Sequence, residues 1–222
     1  MPPQFMRNKE ETQMKLMHKL IAIVLFLVAT HVQAGVVEGR DYTVMSPAQP
    51  TSSGSKVEVL EFFFYGCPHC YHLHGPLSVW EKKMPKDVEL QSVPVIFRDT
   101  WEPMARTFYA LEALGEGKRL HDDLFDAWNV SRTDLSDEQK ITAFVAKRGV
   151  DAAKFGAAYN SFSLAGKVAR SNQMVRSYGV RGTPTIAVDG KYIITGLEPA
   201  DTIRVLDEVI EIARKERRAG KR

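Results

Sequence analysis

The chain has 222 residues, a formal net charge of +3, 44% hydrophobic and 26% charged residues, and two cysteines. That length suits one domain, or one domain carrying an insertion, and the composition excludes a disordered, collagen-like or disulfide-stapled protein. The charge does not point to nucleic acid: the last nine residues hold six basic side chains against Glu216, and a short basic run without interleaved aromatics reads as a solvated, fraying helix end.

Leu20 to Ala29 (LIAIVLFLVA) is an uncharged apolar run, shorter than the about 20 residues a spanning helix needs. Lys15, His18 and Lys19 precede it, and Val32-Gln33-Ala34 follows as a small-residue cleavage site. The alternative is a buried core helix. The basic flank and the Ala34 site favour a signal peptide over residues 1–34, cleaved after Ala34, and hence export to the oxidising periplasm. A start at Met14 would leave out Glu10 and Glu11 and give a more typical leader.

After the leader, Asp41 to Val44 suggests a short edge strand, and Ser46 to Ser55 a turn-rich connector. Val57 to Tyr65 (VEVLEFFFY) is nearly continuously apolar, the pattern of a central strand buried on both faces. Gly66-Cys67-Pro68-His69-Cys70 follows and opens a helix through Lys83, with Pro76 a potential kink. Val88 to Phe97 reads as a second strand that Pro94 limits near its end. Strand, helix, strand implies parallel pairing with a right-handed crossover.

Helical periodicity then dominates from Trp101 to Tyr178. Met104, Phe108 and Leu111 mark one helix, and Leu124, Phe125 and Trp128 the apolar side of another. Ser136 and Gln139 form a capping box for a helix that Gly149 should close, Asp151 caps the next, and Ser163 to Tyr178 gives one more. Thr185 to Val188 returns to strand character, Asp189-Gly190 supplies a type I′ hairpin turn, and Ile203, Leu206, Val209, Ile210 and Ala213 mark a final amphipathic helix. The order predicts an α/β fold: a sheet domain from residues 35–98 and 171–222, interrupted by an all-helical domain at 99–170.

Cys67 and Cys70 allow two chemistries. Zinc needs four ligands, and no second C-x-x-C exists; His72 and His74 would complete a set crowded onto one and a half helical turns, which cannot easily aim at one point. A redox pair fits better. The strand delivers Cys67 to the first turn of a helix, where unpaired N–H groups favour a thiolate, and Pro68 falls where its missing N–H costs nothing. Cys67 is therefore the expected nucleophile and Cys70 the resolving thiol, with His69 adding stabilisation to the thiolate if protonated. Stabilising the thiolate stabilises the dithiol, so the pair should donate its disulfide rather than reduce one.

Glu61-Phe62-Phe63, Cys67-Pro68-His69-Cys70 and Gly179-Val180-Arg181-Gly182-Thr183-Pro184-Thr185 together resemble the DsbA-type thiol:disulfide oxidoreductases of the thioredoxin superfamily, over essentially the whole chain after the leader. That family is itself the reference case for a strongly depressed cysteine pKa. The resemblance implies a thioredoxin-like fold with an inserted all-helical domain. It implies a cis Thr183–Pro184 bond facing the cysteines, with the Thr183 backbone pairing an extended substrate strand. It implies that Glu61 shuttles protons to Cys70, although an acid near a strand end more often points to water, and up to ~20 Å of extended chain separates it from Cys67. Some relatives carry a lysine partner where this chain has Glu89-Leu90-Gln91-Ser92. The implied partners are unfolded exported proteins with free cysteines and a DsbB-type membrane reoxidant; the protein is expected to be a monomer without cofactor or metal. A reductase or isomerase kept in the dithiol form is the competing enzyme reading, and a zinc-binding or holdase module the non-enzymatic one. His72, His74 and His121 read as surface or satisfied histidines, and Phe64, Tyr65 and Trp101 as either core or the edge of a hydrophobic substrate groove.

Overall fold

Seven residues of unbroken burial make β2 (Val57–Phe63) the spine of the structure. The computed structural model describes Met14, Met17 and residues 35–220; the expected signal peptide and its cleavage site lie outside them. A five-stranded sheet runs in the order β1-β5-β4-β2-β3, with β1 Thr43–Val44, β3 Val88–Pro94, β4 Thr185–Val188 and β5 Tyr192–Thr195. β2 pairs parallel with β3 and antiparallel with β4, and β5 is antiparallel to both β4 and β1. The parallel β2–β3 pair is joined through α1 (Pro68–Lys83), which runs through Pro76 without a break.

The insertion contributes α2 (Glu102–Ala113), α3 (Gly117–Asn129), α4 (Glu138–Ala146) and α5 (Ala152–Tyr159); α6 (Phe162–Ser177) leads back to the sheet, and α7 (Pro199–Arg218) ends the chain. Alternate side chains of β2 enter different cores. Val57 and Val59 pack with Leu73, Leu77 and Trp80 of α1 and with Val205, Leu206 and Val209 of α7, whereas Leu60 and Phe62 pack with Val175, Tyr178 and Val180. Leu120, Leu124, Phe125, Ile141 and Phe155 form a third cluster that takes in Phe63, Phe64 and Tyr65. Helix α6 crosses the boundary expected at residue 170: Leu164 and Val168 lie in the helical cluster, Val175 in the sheet cluster.

Three local expectations change. β3 stops at Pro94 rather than Phe97, because its partner β2 ends at Phe63, the residue opposite Pro94, and only Val95 N still reaches back, donating to Phe63 O at 2.8 Å. Helix α4 is capped by Asp137, whose carboxylate accepts from Lys140 N at 2.9 Å, not by Ser136. The basic C-terminal run is not a solvated fray over its whole length: Arg217 Nε donates to Asp189 Oδ2 at 2.9 Å and its Nη1 to the Ser55 carbonyl at 2.9 Å, while Arg214 Nε donates to Asp87 Oδ2 at 2.8 Å. The hairpin turn is as expected, with φ of +53° at Asp189 and +70° at Gly190. A side chain at Gly190 would also strike the Gln49 carbonyl.

Candidate active site

β2 ends at Phe63, and four residues later Cys67 stands as the N-cap of α1, its backbone extended at φ −88° and ψ 116° with Pro68 as the first helical residue. Cys67 N donates to Phe64 O at 3.0 Å and Cys67 O accepts from Tyr71 N at 3.0 Å, which fixes the turn into the helix. Both cysteines are free thiols. Cys67 is half-buried, whereas Cys70, one turn in, is wholly buried. Pro68 and His69 are exposed.

From 116 residues away, the Thr183 carbonyl accepts a hydrogen bond from Cys67 Sγ at 3.2 Å. The Thr183–Pro184 bond is cis, and Thr185 Oγ1 donates to Gly182 O at 2.8 Å within the same loop. Cys67, Thr183 and Pro184 therefore share one site.

The two thiols are driven apart. The Cys67 pKa falls to about 5, chiefly through a hydrogen bond from the Cys70 thiol, with Thr183 and the backbone of Cys70 and His69 contributing against the opposing effect of burial. Cys70 moves far upward, first because it is buried and then because Cys67 and Glu61 place negative charge beside it. His69 contributes at the sulfur through its backbone N–H.

Glu61 does not point to water. It is 3% exposed, and burial raises its pKa to about 7 although Ser92 Oγ donates to Oε2 at 2.9 Å. Its register partner on β3 is Ser92, which occupies the stretch where a basic residue is lacking. Oε1 is buried without a partner, on the wall of a cavity of about 780 Å³.

Several functional neighbours had no signature in the sequence, because they sit on α3, more than fifty residues after the cysteine motif. Tyr65 Oη and His121 Nδ1 are 2.7 Å apart, Asn129 Nδ2 donates to the Tyr65 carbonyl at 2.8 Å, and the Trp128 ring occupies the space a Cβ at Gly66 would need. Tyr65 and Phe64 are core residues, not groove edges; Phe64 stacks on the partly exposed Trp101 at 3.8 Å, with exposed Phe97 beyond it. His74 Nε2 meets Asp122 Oδ1 at 2.6 Å, so His74 and His121 are both satisfied. Among the described residues no three His, Cys, Asp or Glu side chains are placed to share a metal ion.

Residues 88–206 match the family profile described as a DSBA-like thioredoxin domain. The chain is 41% identical over 160 residues, 72% of its length and 76% of the relative's, to a thiol:disulfide interchange protein DsbA of Burkholderia cepacia. It is 35% identical over 187 residues, 83% and 87% of the two lengths, to that of Pseudomonas aeruginosa. Among solved structures it is similar to the oxidoreductase DsbA from Xylella fastidiosa, with a TM-score of 0.77 and 32% identity over 81% of this chain and 98% of that one.

Proposed function

The chain belongs to the DSBA-like thioredoxin family and is a thiol:disulfide oxidoreductase; from that premise we propose that Cys67 is its nucleophile, Cys70 its resolving thiol and Glu61 its proton carrier. The observation that carries the reading is the opposite displacement of the two thiols across one helical turn.

In the oxidised protein a substrate thiolate attacks Cys67 Sγ, the more exposed sulfur. The Cys67–Cys70 bond breaks and Cys70 leaves with the electron pair. A thiol with so high a pKa takes up a proton at once, and the buried Glu61 carboxyl, pushed up to about 7 and felt electrostatically by Cys70, is the group that supplies it in its protonated form. A second substrate thiolate then attacks the substrate sulfur of the mixed disulfide, and Cys67 leaves as a stabilised thiolate. The substrate loses two electrons and two protons and gains one disulfide; the protein holds the dithiol. Thr183 supports this reading, since its backbone lies against Cys67 Sγ where an extended peptide would pair.

A low Cys67 pKa favours the dithiol over the disulfide, which supports donation over reduction or isomerisation. The reading extends to a periplasmic protein released by cleavage after Ala34, acting as a monomer on unfolded exported chains and reoxidised by a DsbB-type membrane partner. Incubating oxidised Cys70→Ala protein, loaded as a Cys67 mixed disulfide with a small thiol, with a reduced unfolded protein tests the order of events. A trapped substrate adduct at Cys67 is expected. An adduct that instead requires Cys70 in a Cys67→Ala background overturns the assignment.

A further inference from the structure

One face of α3 is laid along the whole redox segment, from Phe64 to His74. Asn129 Nδ2 donates to the Tyr65 carbonyl at 2.8 Å, two residues before Cys67, and its other hydrogen bond, to Phe125 O at 2.9 Å, ties the amide to its own helix. Tyr65 Oη pairs with His121 Nδ1 at 2.7 Å, so the residue is held at its backbone and at its tip by one helix. Trp128 packs edge-on to Phe64 and fills the space above Gly66. Past the motif, Asp122 meets His74 at 2.6 Å, and the Phe125 ring stacks on the His74 ring at 4.7 Å.

The grip matters because the reactive sulfur depends on distance and angle. The groups that favour its thiolate are the Cys70 thiol and the backbone of His69 and Cys70, all in the first turn of α1, and the Thr183 side chain on a distant loop, two different parts of the chain. Hydrogen bonds weaken steeply as angle and distance leave the optimum, so a small displacement of the turn loses several of them together. β2 ends at Phe63, and its ladder does not reach Tyr65 and Gly66.

We propose that helix α3 of the insertion is the positioning element of the redox turn, with Asn129 and His121 as positioning residues that hold Tyr65 and thereby keep Cys67 in reach of its donors. The inserted domain then tunes the thiol chemistry as well as flanking it. This deepens the assignment of Cys67 as the reactive thiol and rests on it.

The test follows the Cys67 thiolate by ultraviolet absorbance against pH, and the equilibrium with glutathione, in the full-length mature protein. The variants are Asn129→Ala, Asn129→Asp, Tyr65→Phe and His121→Phe, with Phe144→Leu in the core of α4 as a control that weakens the insertion away from the turn. Each of the four should raise the Cys67 pKa by about half a unit or more and weaken oxidation of glutathione about three-fold or more, the control moving neither. Asn129→Asp should be no better than Asn129→Ala, since a carboxylate fills the space but cannot donate to the Tyr65 carbonyl. Tyr65→Phe removes a single oxygen and keeps the test open if a larger change does not fold. Unchanged thiolate titration and glutathione equilibrium in folded Tyr65→Phe and Asn129→Asp overturn the proposal, as does an equal shift in Phe144→Leu. A wild-type protein with no low-titrating thiol at Cys67 overturns instead the assignment of the nucleophile, so the two failures are distinguishable.

Discussion

Cys67 and Cys70 carry the same side chain one helical turn apart, and their surroundings push them in opposite directions. Cys67 caps a helix and receives hydrogen bonds; Cys70 is enclosed by apolar atoms and faces negative charge. Glu61 follows the second pattern. Its ordinary pKa is 4.5 and its folded one about 7, so the folded state holds the proton more tightly than the unfolded chain. The penalty for ionising it is absent below about pH 4.5, grows between there and pH 7, and is constant above. Glu61→Gln should therefore leave stability unchanged at pH 4.5 and raise it at pH 8, by at most on the order of 3 kcal/mol. Urea unfolding of both proteins in the presence of reductant at the two pH values measures it. Equal gains at both would mean that the carboxyl is not desolvated. Of these residues, the cysteines and Pro68 were legible from the motif at the strand-to-helix turn, and Thr183 and Pro184 only through the family resemblance. The environment of Glu61 was not, since a single acid in an apolar strand reads equally as a strand-end surface residue until its neighbours are known.

At the scale of elements, local signals did most of the work. Continuous apolar character marked β2, Asp189-Gly190 marked the hairpin, and Asp151 caps α5 by accepting from Lys154 N at 2.9 Å. The α4 cap shows where such signals are ambiguous. Ser136 and Asp137 are adjacent and both are good capping residues, so sequence alone admits two registers one residue apart. The structure chooses Asp137, with the Ser136 N–H turned to Asp134 Oδ1 at 3.1 Å. Asp137→Ala should cost roughly 0.5–2 kcal/mol in thermal or denaturant unfolding, and Ser136→Ala a few tenths. The reverse order would put the helix start back at Ser136. The end of the basic tail was misjudged for a different reason: Arg214 and Arg217 find Asp87 and Asp189, partners 127 and 28 residues away that no local pattern reveals.

At the scale of the molecule, the redox state and the stability of the fold are linked. The Cys67 pKa is depressed from 9.0 to about 5, so the thiolate stabilises the folded dithiol form fully above the unfolded-state pKa, and that contribution is lost as pH falls to about 5. A disulfide closing so short a loop offers little entropic gain in return. The oxidised protein should accordingly unfold at lower denaturant than the dithiol form at pH 7 and above, with the gap closing toward pH 5. A disulfide form that is the more stable at pH 7 would contradict a protein built to give its disulfide away.

The sequence by itself pointed to the reagent and predicted its compartment: a cysteine pair at a strand-to-helix turn, a proline that starts the helix, a Thr-Pro loop far downstream that the family resemblance marks, and a leader that predicts export. These are readable because each rests on local backbone chemistry or on a motif of fixed spacing. Only the tertiary structure decided what surrounds the pair. It brought the Thr183 carbonyl to Cys67 Sγ, buried Glu61 beside Ser92 with one oxygen unpartnered, and laid α3 along the redox segment. The physical reason is that desolvation and hydrogen-bond geometry depend on which distant segments pack together, and those forces set the pKa of each thiol.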